Sequence, residues 1–131
     1  MQQSFKLENS EISFEFPKNW ATSKVENIVS VYDSINGLGV LLFSVYYEKN
    51  NEPINLSDEL EEHLSKHHED FEIVLKEKFA YCNCLDEENK LWRYWLFQKA
   101  NNIIFVSYNC ALDDGGKEDK IVDAIVKSAY S

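Results

Sequence analysis

The stretch KLWRYWLFQKANNIIFVSYNCA, residues 90–111, decides the fold. Its two halves, Lys90–Lys99 and Ile103–Ala111, are rich in aromatic and β-branched residues and flank Asn101-Asn102. They predict two antiparallel strands joined by a tight turn. Further along the chain, apolar residues recur at helical spacing, which predicts an amphipathic helix packed on the sheet; these residues are Ile121, Val122, Ile125 and Ala129.

The composition favours one folded domain over residues 1–131. Hydrophobic residues make up 44% of the chain and aromatic residues 14%. A chain of this length can bury about two-thirds of the surface that its unfolded form exposes. An intrinsically disordered chain is therefore excluded.

The charge is strongly acidic, with 13 basic and 23 acidic side chains and a net charge of −10. Such a surface repels nucleic-acid phosphates and anionic lipid headgroups, so no nucleic-acid or membrane partner is expected. Two interpretations of the charge stay open. It serves solubility, or it speeds the encounter with a basic protein.

Cysteine usage bears on the cellular compartment. Cys82, Cys84 and Cys110 are an odd number, no secretory segment precedes Phe5, and no apolar run approaches the ~18 residues of a membrane span. We therefore expect a reducing, cytoplasmic location, unless a signal segment was trimmed from the chain.

The first half of the chain predicts three strands. Glu11–Phe16 alternates polar with apolar residues, which is typical of a strand with one buried face. Ile28–Asp33 and Gly39–Tyr47 flank Ser34–Gly37, whose Asn-Gly pair favours a hairpin. Since Gly39–Tyr47 carries apolar residues on both faces, we expect it inside the sheet.

One further helix is predicted in the middle of the chain, after a loop from Glu48 to Leu56. It runs from Ser57 to about Glu69, with Ser57 or Asp58 as its N-cap. Its apolar stripe is thin and consists of Leu60 and Leu64. We therefore expect this helix on the surface of the molecule.

Three motifs resemble those of the PsbP-like superfamily, which includes the photosystem subunit PsbP and the Ran-binding Mog proteins. They are the strand end Phe16-Pro17-Lys18-Asn19-Trp20, the late Ser107-Tyr108-Asn109-Cys110 of the second hairpin, and the final helix IVDAIVKS at 121–128. The resemblance implies an antiparallel α+β sheet of about six strands sandwiched by helices. It implies no catalytic residues to carry over. No cofactor is expected.

The chain departs from that superfamily at one position of the first motif. The family often has Gly directly before the Trp, where this chain has Asn19. Asn tolerates the left-handed backbone region better than most residues, so the turn is expected to survive.

The register of the late hairpin follows from its turn. A two-residue Asn101-Asn102 loop pairs Ala100 with Ile103. Phe97 then faces Val106, Trp95 faces Tyr108, and Arg93 faces Cys110.

A long strand from Phe71 to Leu85 is predicted to precede this hairpin. The polar turn Asp86–Asn89 then pairs Leu85 with Lys90, which fixes the residues of one aromatic sheet face. Two accounts of that face stay open: a helix covers it, or it stays partly exposed as a protein-binding patch. The patch would consist of Phe79, Tyr81, Trp92 and Tyr94, and any binding site is expected to include Trp92 or Tyr94.

Cys82 and Cys84 lie on one face of the same predicted strand. In the predicted register Arg93 lies between Cys82 and Cys110, where its charge would lower a thiol pKa and make the thiol reactive. The alternative, which we favour, is that these are small buried residues. Cys-x-Cys alone does not make a zinc site, because a structural site needs four ligands.

His63 and His67 have the i, i+4 spacing of metal-binding pairs. They lack a third ligand and an adjacent catalytic Glu, so no metal is expected and the two histidines are only weak candidates. Without a nucleophile elbow, a phosphate-binding loop or a dinucleotide fingerprint, the sequence also predicts no enzyme.

The leading hypothesis is therefore a non-enzymatic module that binds another protein, such as an adaptor or an immunity protein that neutralises a basic partner. The alternative is a sensor that binds a small molecule or a metal in a pocket between sheet and helix. An exposed aromatic face could also be self-complementary, so both a monomer and a homodimer are compatible with the sequence.

Overall fold

The computed structural model describes residues 2–7, 10, 12–48 and 52–131. The described elements are nine strands, two α-helices and a 3-10 turn at Leu112–Asp114. The strands are β1 (Gln2–Lys6), β2 (Ser13–Pro17), β3 (Trp20–Val25), β4 (Ile28–Asp33), β5 (Gly39–Tyr47), β6 (Val74–Leu75), β7 (Ala80–Leu85), β8 (Lys90–Lys99) and β9 (Asn102–Ala111). The helices are α1 (Leu56–Leu64) and α2 (Asp119–Tyr130).

Seven strands form one antiparallel sheet in the order β3-β4-β5-β9-β8-β7-β6. The hairpin β1–β2 packs beside α2 on one face of this sheet, and α1 packs on the other face. The predicted fold class, an antiparallel sheet between helices, is confirmed with seven strands in place of about six.

The main core lies between the sheet and the layer formed by β1–β2 and α2. Apolar side chains from β2, from every second position of the central strands and from α2 are almost fully buried there. Phe14 and Phe43 stack with ring centroids 4.4 Å apart. Burial of one such ring contributes about 1.5–3 kcal/mol to the stability of the fold.

Glu118, directly before α2, ties that helix to the sheet. Its buried carboxylate accepts hydrogen bonds from the backbone N–H of Gly39 at 3.0 Å and from the Tyr108 hydroxyl at 2.7 Å. Burial and the neighbouring Glu118 carboxylate raise the pKa of Tyr108, so this hydroxyl keeps its proton. The start of α2 is thereby fixed against β5 and β9.

Arg93 on β8 provides a second tie to α2. Its Nη1 and Nη2 atoms lie 3.1 Å and 2.6 Å from carboxylate oxygens of Asp119 and Asp123. Its Nε atom donates to the Tyr81 hydroxyl at 2.8 Å, and the guanidinium carbon lies 4.7 Å from the ring centroid of Trp95. Arg93 therefore holds α2 against β8.

The strands predicted in the first half are largely confirmed. Ile28–Asp33 and Gly39–Tyr47 are β4 and β5, they pair as a hairpin, and β5 lies inside the sheet. The strand predicted from Glu11 is observed as Ser13–Pro17, and Glu11 lies outside the described residues. The sequence analysis missed β1 and β3.

The predicted bounds and cap of α1 are wrong. The helix begins at Leu56 and ends at Leu64, not near Glu69. Its N-cap is Asn55, whose side-chain oxygen accepts from the backbone N–H of Asp58 at 3.0 Å. The predicted stripe of Leu60 and Leu64 is confirmed, since both are buried. Residues 49–51 of the predicted loop lie outside the described residues.

The predicted long strand Phe71–Leu85 is also wrong. It divides into β6 and β7, which pair with each other as antiparallel strands. Leu85 pairs with Leu91, not with Lys90. The cause is Asp86, whose Oδ1 atom accepts from the backbone N–H groups of Glu88 and Lys90 and adds one residue to the turn. A slip of one residue moves every side chain of β7 to the other face.

The register predicted for β8 and β9 is wrong by two residues. Lys99 pairs with Asn102 around an Ala100-Asn101 loop, in which Ala100 has a positive φ of 54°. The observed pairs are Phe97 with Ile104, Trp95 with Val106 and Arg93 with Tyr108. Because a shift of two restores the side-chain alternation, the predicted faces of these two strands are correct.

Asn19 does not use the left-handed region, since it is not among the residues with positive φ. Its carbonyl instead accepts hydrogen bonds from the backbone N–H and the hydroxyl of Ser34, at 3.1 Å and 2.9 Å. The turn before Trp20 is therefore held by a contact with the end of β4, and a glycine is not required.

Candidate functional site

Helix α1 covers only part of its face of the sheet. Its buried leucines contact residues of β7, β8 and β9, such as Ala80 and Leu96. The same face continues across β5, β4 and β3, where the side chains other than Ser44 are half-buried or exposed. We call this region the open face; it consists of Val25, Ile28, Ser30, Tyr32, Val40, Leu42 and Tyr46, with Ser107 and Asn109 at its border.

The open face is uncharged, although charged residues make up 27% of the chain. None of the β3, β4 and β5 residues that point to this side is Asp, Glu, Lys or Arg. Ile28 is 42% exposed and Tyr46 is 43% exposed. Depletion of charge together with aliphatic and tyrosine side chains is typical of the centre of a protein interface.

A cleft of about 360 Å³ lies between the end of α1 and the sheet, next to the open face. We call it the aromatic cleft. Its lining residues come from the end of α1 and the turn after it, from the β7–β8 turn, and from β8 and β9; they are His63, Leu64, His67, His68, Asp86, Trp92, Tyr94, Phe105 and Ser107.

A row of rings runs along this cleft. Trp92 and Tyr94 stack with centroids 5.7 Å apart, and Tyr94 stacks on Phe105 at 5.8 Å. His63 stacks on Phe105 at 4.7 Å and contacts Tyr46 of the open face at 5.7 Å. The aromatic cleft and the open face are therefore continuous.

Two hydrogen bonds hold the side chains at the end of the cleft next to the β7–β8 turn. The His68 Nε2 atom lies 2.7 Å from the Tyr94 hydroxyl, and the Trp92 indole N–H donates to Asp86 at 2.9 Å. Burial lowers the pKa of His68, with a further lowering from His67 and an opposing effect of Asp86. The hydrogen bonds from Trp92 and from the backbone of Lys90 lower the pKa of Asp86. The cleft therefore holds a neutral imidazole beside a carboxylate at neutral pH.

Only two of the four predicted patch residues lie at this site. Trp92 is half-buried in the cleft wall, and Tyr94 is 5% exposed beneath α1. Phe79 and Tyr81 pack against the main core, on the opposite face of the sheet. The predicted four-residue patch is therefore wrong, and the cause is the one-residue slip at the Asp86 turn. Whether Trp92 or Tyr94 takes part in binding stays a prediction.

The predicted contact between Arg93 and the thiols is also wrong. Cys82 pairs with Tyr94 and Cys84 with Trp92, whereas Arg93 points to the α2 side. Burial raises the pKa of Cys82, and it raises the pKa of Cys84 to about 12. Burial also raises the pKa of Cys110. These thiols are protonated at neutral pH, so nothing in their surroundings activates them.

His63 and His67 are both at the aromatic cleft, but the His63 ring stacks on Phe105 and makes a tilted contact with Tyr46. Within the described part of the chain, no group of three or more His, Cys, Asp or Glu side chains could hold a metal ion. The two histidines are thus placed as part of an aromatic wall.

The sequence analysis missed the residues of the open face. One signal was present: along β4, Ile28, Ser30 and Tyr32 alternate with Val29 and Val31, so this strand has two different faces. The face with Val29 and Val31 is more apolar than the face with Ser30, so the alternation correctly predicts that the valines are buried. The missing information was that α1, nine residues long, is too short to cover seven strands.

Comparison with models of known protein families found no match, and neither did comparison with curated proteins. Solved structures do match. The solution structure of cyanobacterial PsbP (CyanoP) from Synechocystis sp. PCC 6803 has a TM-score of 0.64 at 12% identity, over 97% of this chain and 90% of that chain. The fold is PsbP-like.

A crystal structure from Bacteroides thetaiotaomicron VPI-5482 also matches, with a TM-score of 0.64 at 16% identity over 92% of this chain. The match covers 45% of that chain, so the present chain spans about half its length. At these identities the likeness establishes the fold alone. No helix of the described residues has both the length and the apolarity needed to span a membrane.

Proposed function

We propose that this protein is a non-enzymatic module that binds another protein through the open face, as an adaptor or an immunity protein does. The observation that carries the proposal is a solvent-exposed sheet surface without charge in a chain of net charge −10. A protein this acidic gains solubility from its charged surface, and an uncharged aliphatic and tyrosine-rich face reduces that benefit locally. Burial against a partner offsets this cost.

The partner is expected to present an apolar surface bordered by Lys or Arg. Glu26 lies in the turn between β3 and β4, directly after Val25, so one carboxylate borders the open face. The net charge of −10 would attract a basic partner from a distance. A second copy of this chain is the less suitable occupant, because two surfaces of charge −10 repel each other.

The aromatic cleft extends this surface on its α1 side. Trp92 is half-buried and continuous with Phe105 and Tyr46 through the row of rings. Large rings that keep a polar atom are enriched at the centres of protein interfaces. We therefore place Trp92 at the margin of the binding surface and Leu42 near its centre.

Site-specific photocrosslinking tests the proposal. A photoreactive residue replaces Leu42 on the open face, and in a control it replaces Lys120, which is exposed on α2. We expect one partner, with Lys or Arg around its contact surface, to crosslink from position 42 and not from position 120. Crosslinking of the same partner from both positions, or from position 120 alone, would overturn the proposal.

A second candidate function is a sensor of a small molecule, and the aromatic cleft favours it. Its volume of about 360 Å³ lies within the range of small-ligand pockets, and its walls combine rings with a few polar groups. A small-molecule thermal-shift screen tests this candidate, since a ligand that binds only the native state raises Tm. A screen without hits that map to the cleft would count against it.

A cytoplasmic location is part of the proposal. All three cysteines are free, and the Cys84 thiol lies half-buried beside Cys82 without forming a disulfide. Free thiols are compatible with a reducing compartment.

A further inference from the structure

A second cavity adjoins the aromatic cleft. It has a volume of about 460 Å³ and shares His67, His68 and Asp86 with the cleft. Its remaining lining residues are Ser65, Lys66, Glu69, Asp70, Leu85 and Glu87. The two cavities are therefore adjacent, separated by these three shared side chains.

The two cavities differ in chemistry. Trp92, Tyr94, Phe105 and His63 give the cleft aromatic walls, whereas the second cavity has four carboxylates against the single ammonium of Lys66. Ring contacts contribute about 0.5–1.5 kcal/mol beyond burial, which favours flat aromatic groups in the cleft. Carboxylates beside it favour a cation and repel an anion.

Some polar side chains that line the two cavities are hydrogen-bonded within the protein, and others are exposed to solvent. Asp86 accepts hydrogen bonds from Trp92 and from two backbone N–H groups, and His68 is bonded to Tyr94. Glu69, Asp70 and Glu87 are exposed, so their charges are accessible to a ligand. Asp86 thus positions the Trp92 wall, and the exposed carboxylates supply the attraction.

We propose that the aromatic cleft and the acidic cavity together bind a small planar aromatic compound that carries an amine. The ring lies against Trp92 and Phe105, and the ammonium group lies among Glu69, Asp70 and Glu87. This inference rests on the second candidate function, the small-molecule sensor, and is independent of the protein partner at the open face.

Three indole probes that differ in charge test the inference at pH 7.5: tryptamine (a cation), 3-methylindole (neutral) and indole-3-acetate (an anion). Binding is followed by perturbation of amide and indole N–H signals in NMR spectra, with the Trp92 indole signal assigned from Trp92→Phe. We expect tryptamine to bind with Kd on the order of 1 mM and to shift the Trp92 and Ser107 signals. Indole-3-acetate is expected to bind at least about tenfold more weakly.

Variants separate the two parts of the site. Trp92→Ala is expected to abolish tryptamine binding, while Trp92→Phe retains a ring and keeps most of it. Glu87→Gln is expected to weaken tryptamine binding about twofold to fivefold and to leave 3-methylindole unchanged. Glu15→Gln, which removes a carboxylate from β2 on the far side of the sheet, is the matched control and is expected to change neither.

Two results would overturn the inference. One is indole-3-acetate binding as tightly as tryptamine, and the other is the absence of cleft shifts with all three probes. If the thermal-shift screen then finds a different ligand that maps to the cleft, the sensor function stands and only the ligand class proposed here fails.

Discussion

Gly39 is a position where the structure requires the absence of a side chain. A Cβ atom there would lie 2.4 Å from the Asn109 carbonyl oxygen and 2.6 Å from the Tyr108 hydroxyl. The same glycine donates its backbone N–H to Glu118. Close approach of β5 to β9 and the bond to the start of α2 therefore depend on one residue.

We predict that Gly39→Ala lowers the free energy of unfolding by about 1–3 kcal/mol, because backbone and the Tyr108 ring must move apart. Urea unfolding measures the change. The control is Gly115→Ala, where the nearest atom is the flexible tip of Leu91 at 3.0 Å and a smaller loss is expected. Equal losses in both variants would contradict the steric explanation.

His68 lines the aromatic cleft where the cleft adjoins the acidic cavity, and it gives a prediction about pH. The groups that face it are the Tyr94 hydroxyl from β8, the Asp86 carboxylate from the β7–β8 turn and the neighbouring His67. Other charged groups around the adjoining cavity are Lys66, Glu69, Asp70 and Glu87. Since burial lowers the pKa of His68, the unfolded chain takes up the proton first as the pH falls below about 6.5.

The free energy of unfolding is therefore predicted to decrease as the pH is lowered from 7.5 to 5.5. The decrease is predicted to be smaller for the His68→Gln variant. Urea unfolding at three pH values provides the comparison, with Glu15→Gln at an exposed position of β2, on the other face of the sheet, as the control. If His68→Gln shows the same pH dependence as the unmodified protein, then His68 is not responsible for it.

At the scale of single elements, the N-cap of α1 is a case where the sequence pattern predicts the wrong residue. Ser57 and Asp58 were equally plausible caps, since both residue types accept hydrogen bonds from helix N–H groups. The structure assigns the role to Asn55, which lies two residues before Ser57. The sequence pattern does not distinguish Asn55, Ser57 and Asp58, because each of these residue types can cap the start of a helix.

Asn55→Ala is predicted to destabilise the protein by about 1 kcal/mol, while Ser57→Ala is predicted to change the free energy of unfolding by less than half of that. Thermal unfolding of both variants measures the difference. If Ser57→Ala destabilises the protein more than Asn55→Ala does, then Ser57 is the N-cap and the assignment of Asn55 is contradicted.

The strand registers show where sequence reasoning succeeded and where it failed. Hydrophobic alternation identified the paired strands of both long hairpins, because burial on one face imposes a period of two. The β7–β8 register depended on the side chain of Asp86, which lengthens a turn by one residue. These two hydrogen bonds place Phe79 and Tyr81 on the face opposite to the predicted one. His63 and His67 were predicted from their i, i+4 spacing, although α1 ends at Leu64 and His67 lies in the turn after it. Prediction of the open face would have required the length of α1 relative to the width of the sheet.

At the scale of the whole molecule, the two faces of the sheet differ. One is covered by the β1–β2 hairpin and α2, and the other is covered by α1 on the β7–β8 side only. A seven-stranded sheet with one short helix on a face leaves several strands exposed. The open face carries none of the charged side chains, so the net charge of −10 comes from other parts of the chain.

Association with the crosslinked partner is predicted to depend on salt. Raising the salt concentration from about 0.05 M to 0.5 M is expected to lower the association rate constant about tenfold or more, because screening weakens long-range attraction. Stopped-flow mixing measures the rate. An association rate that does not change with salt would show that the acidic surface takes no part in the encounter.

The most direct test of the central claim is the affinity of that partner for Leu42→Asp, measured against Ala124→Asp on the exposed side of α2. Both variants add one carboxylate, so a basic partner gains the same long-range attraction from each. We predict that Leu42→Asp raises Kd at least about tenfold, since a charge then enters the apolar contact, and that Ala124→Asp leaves it unchanged. Equal Kd values for the two variants would contradict a binding site on the open face.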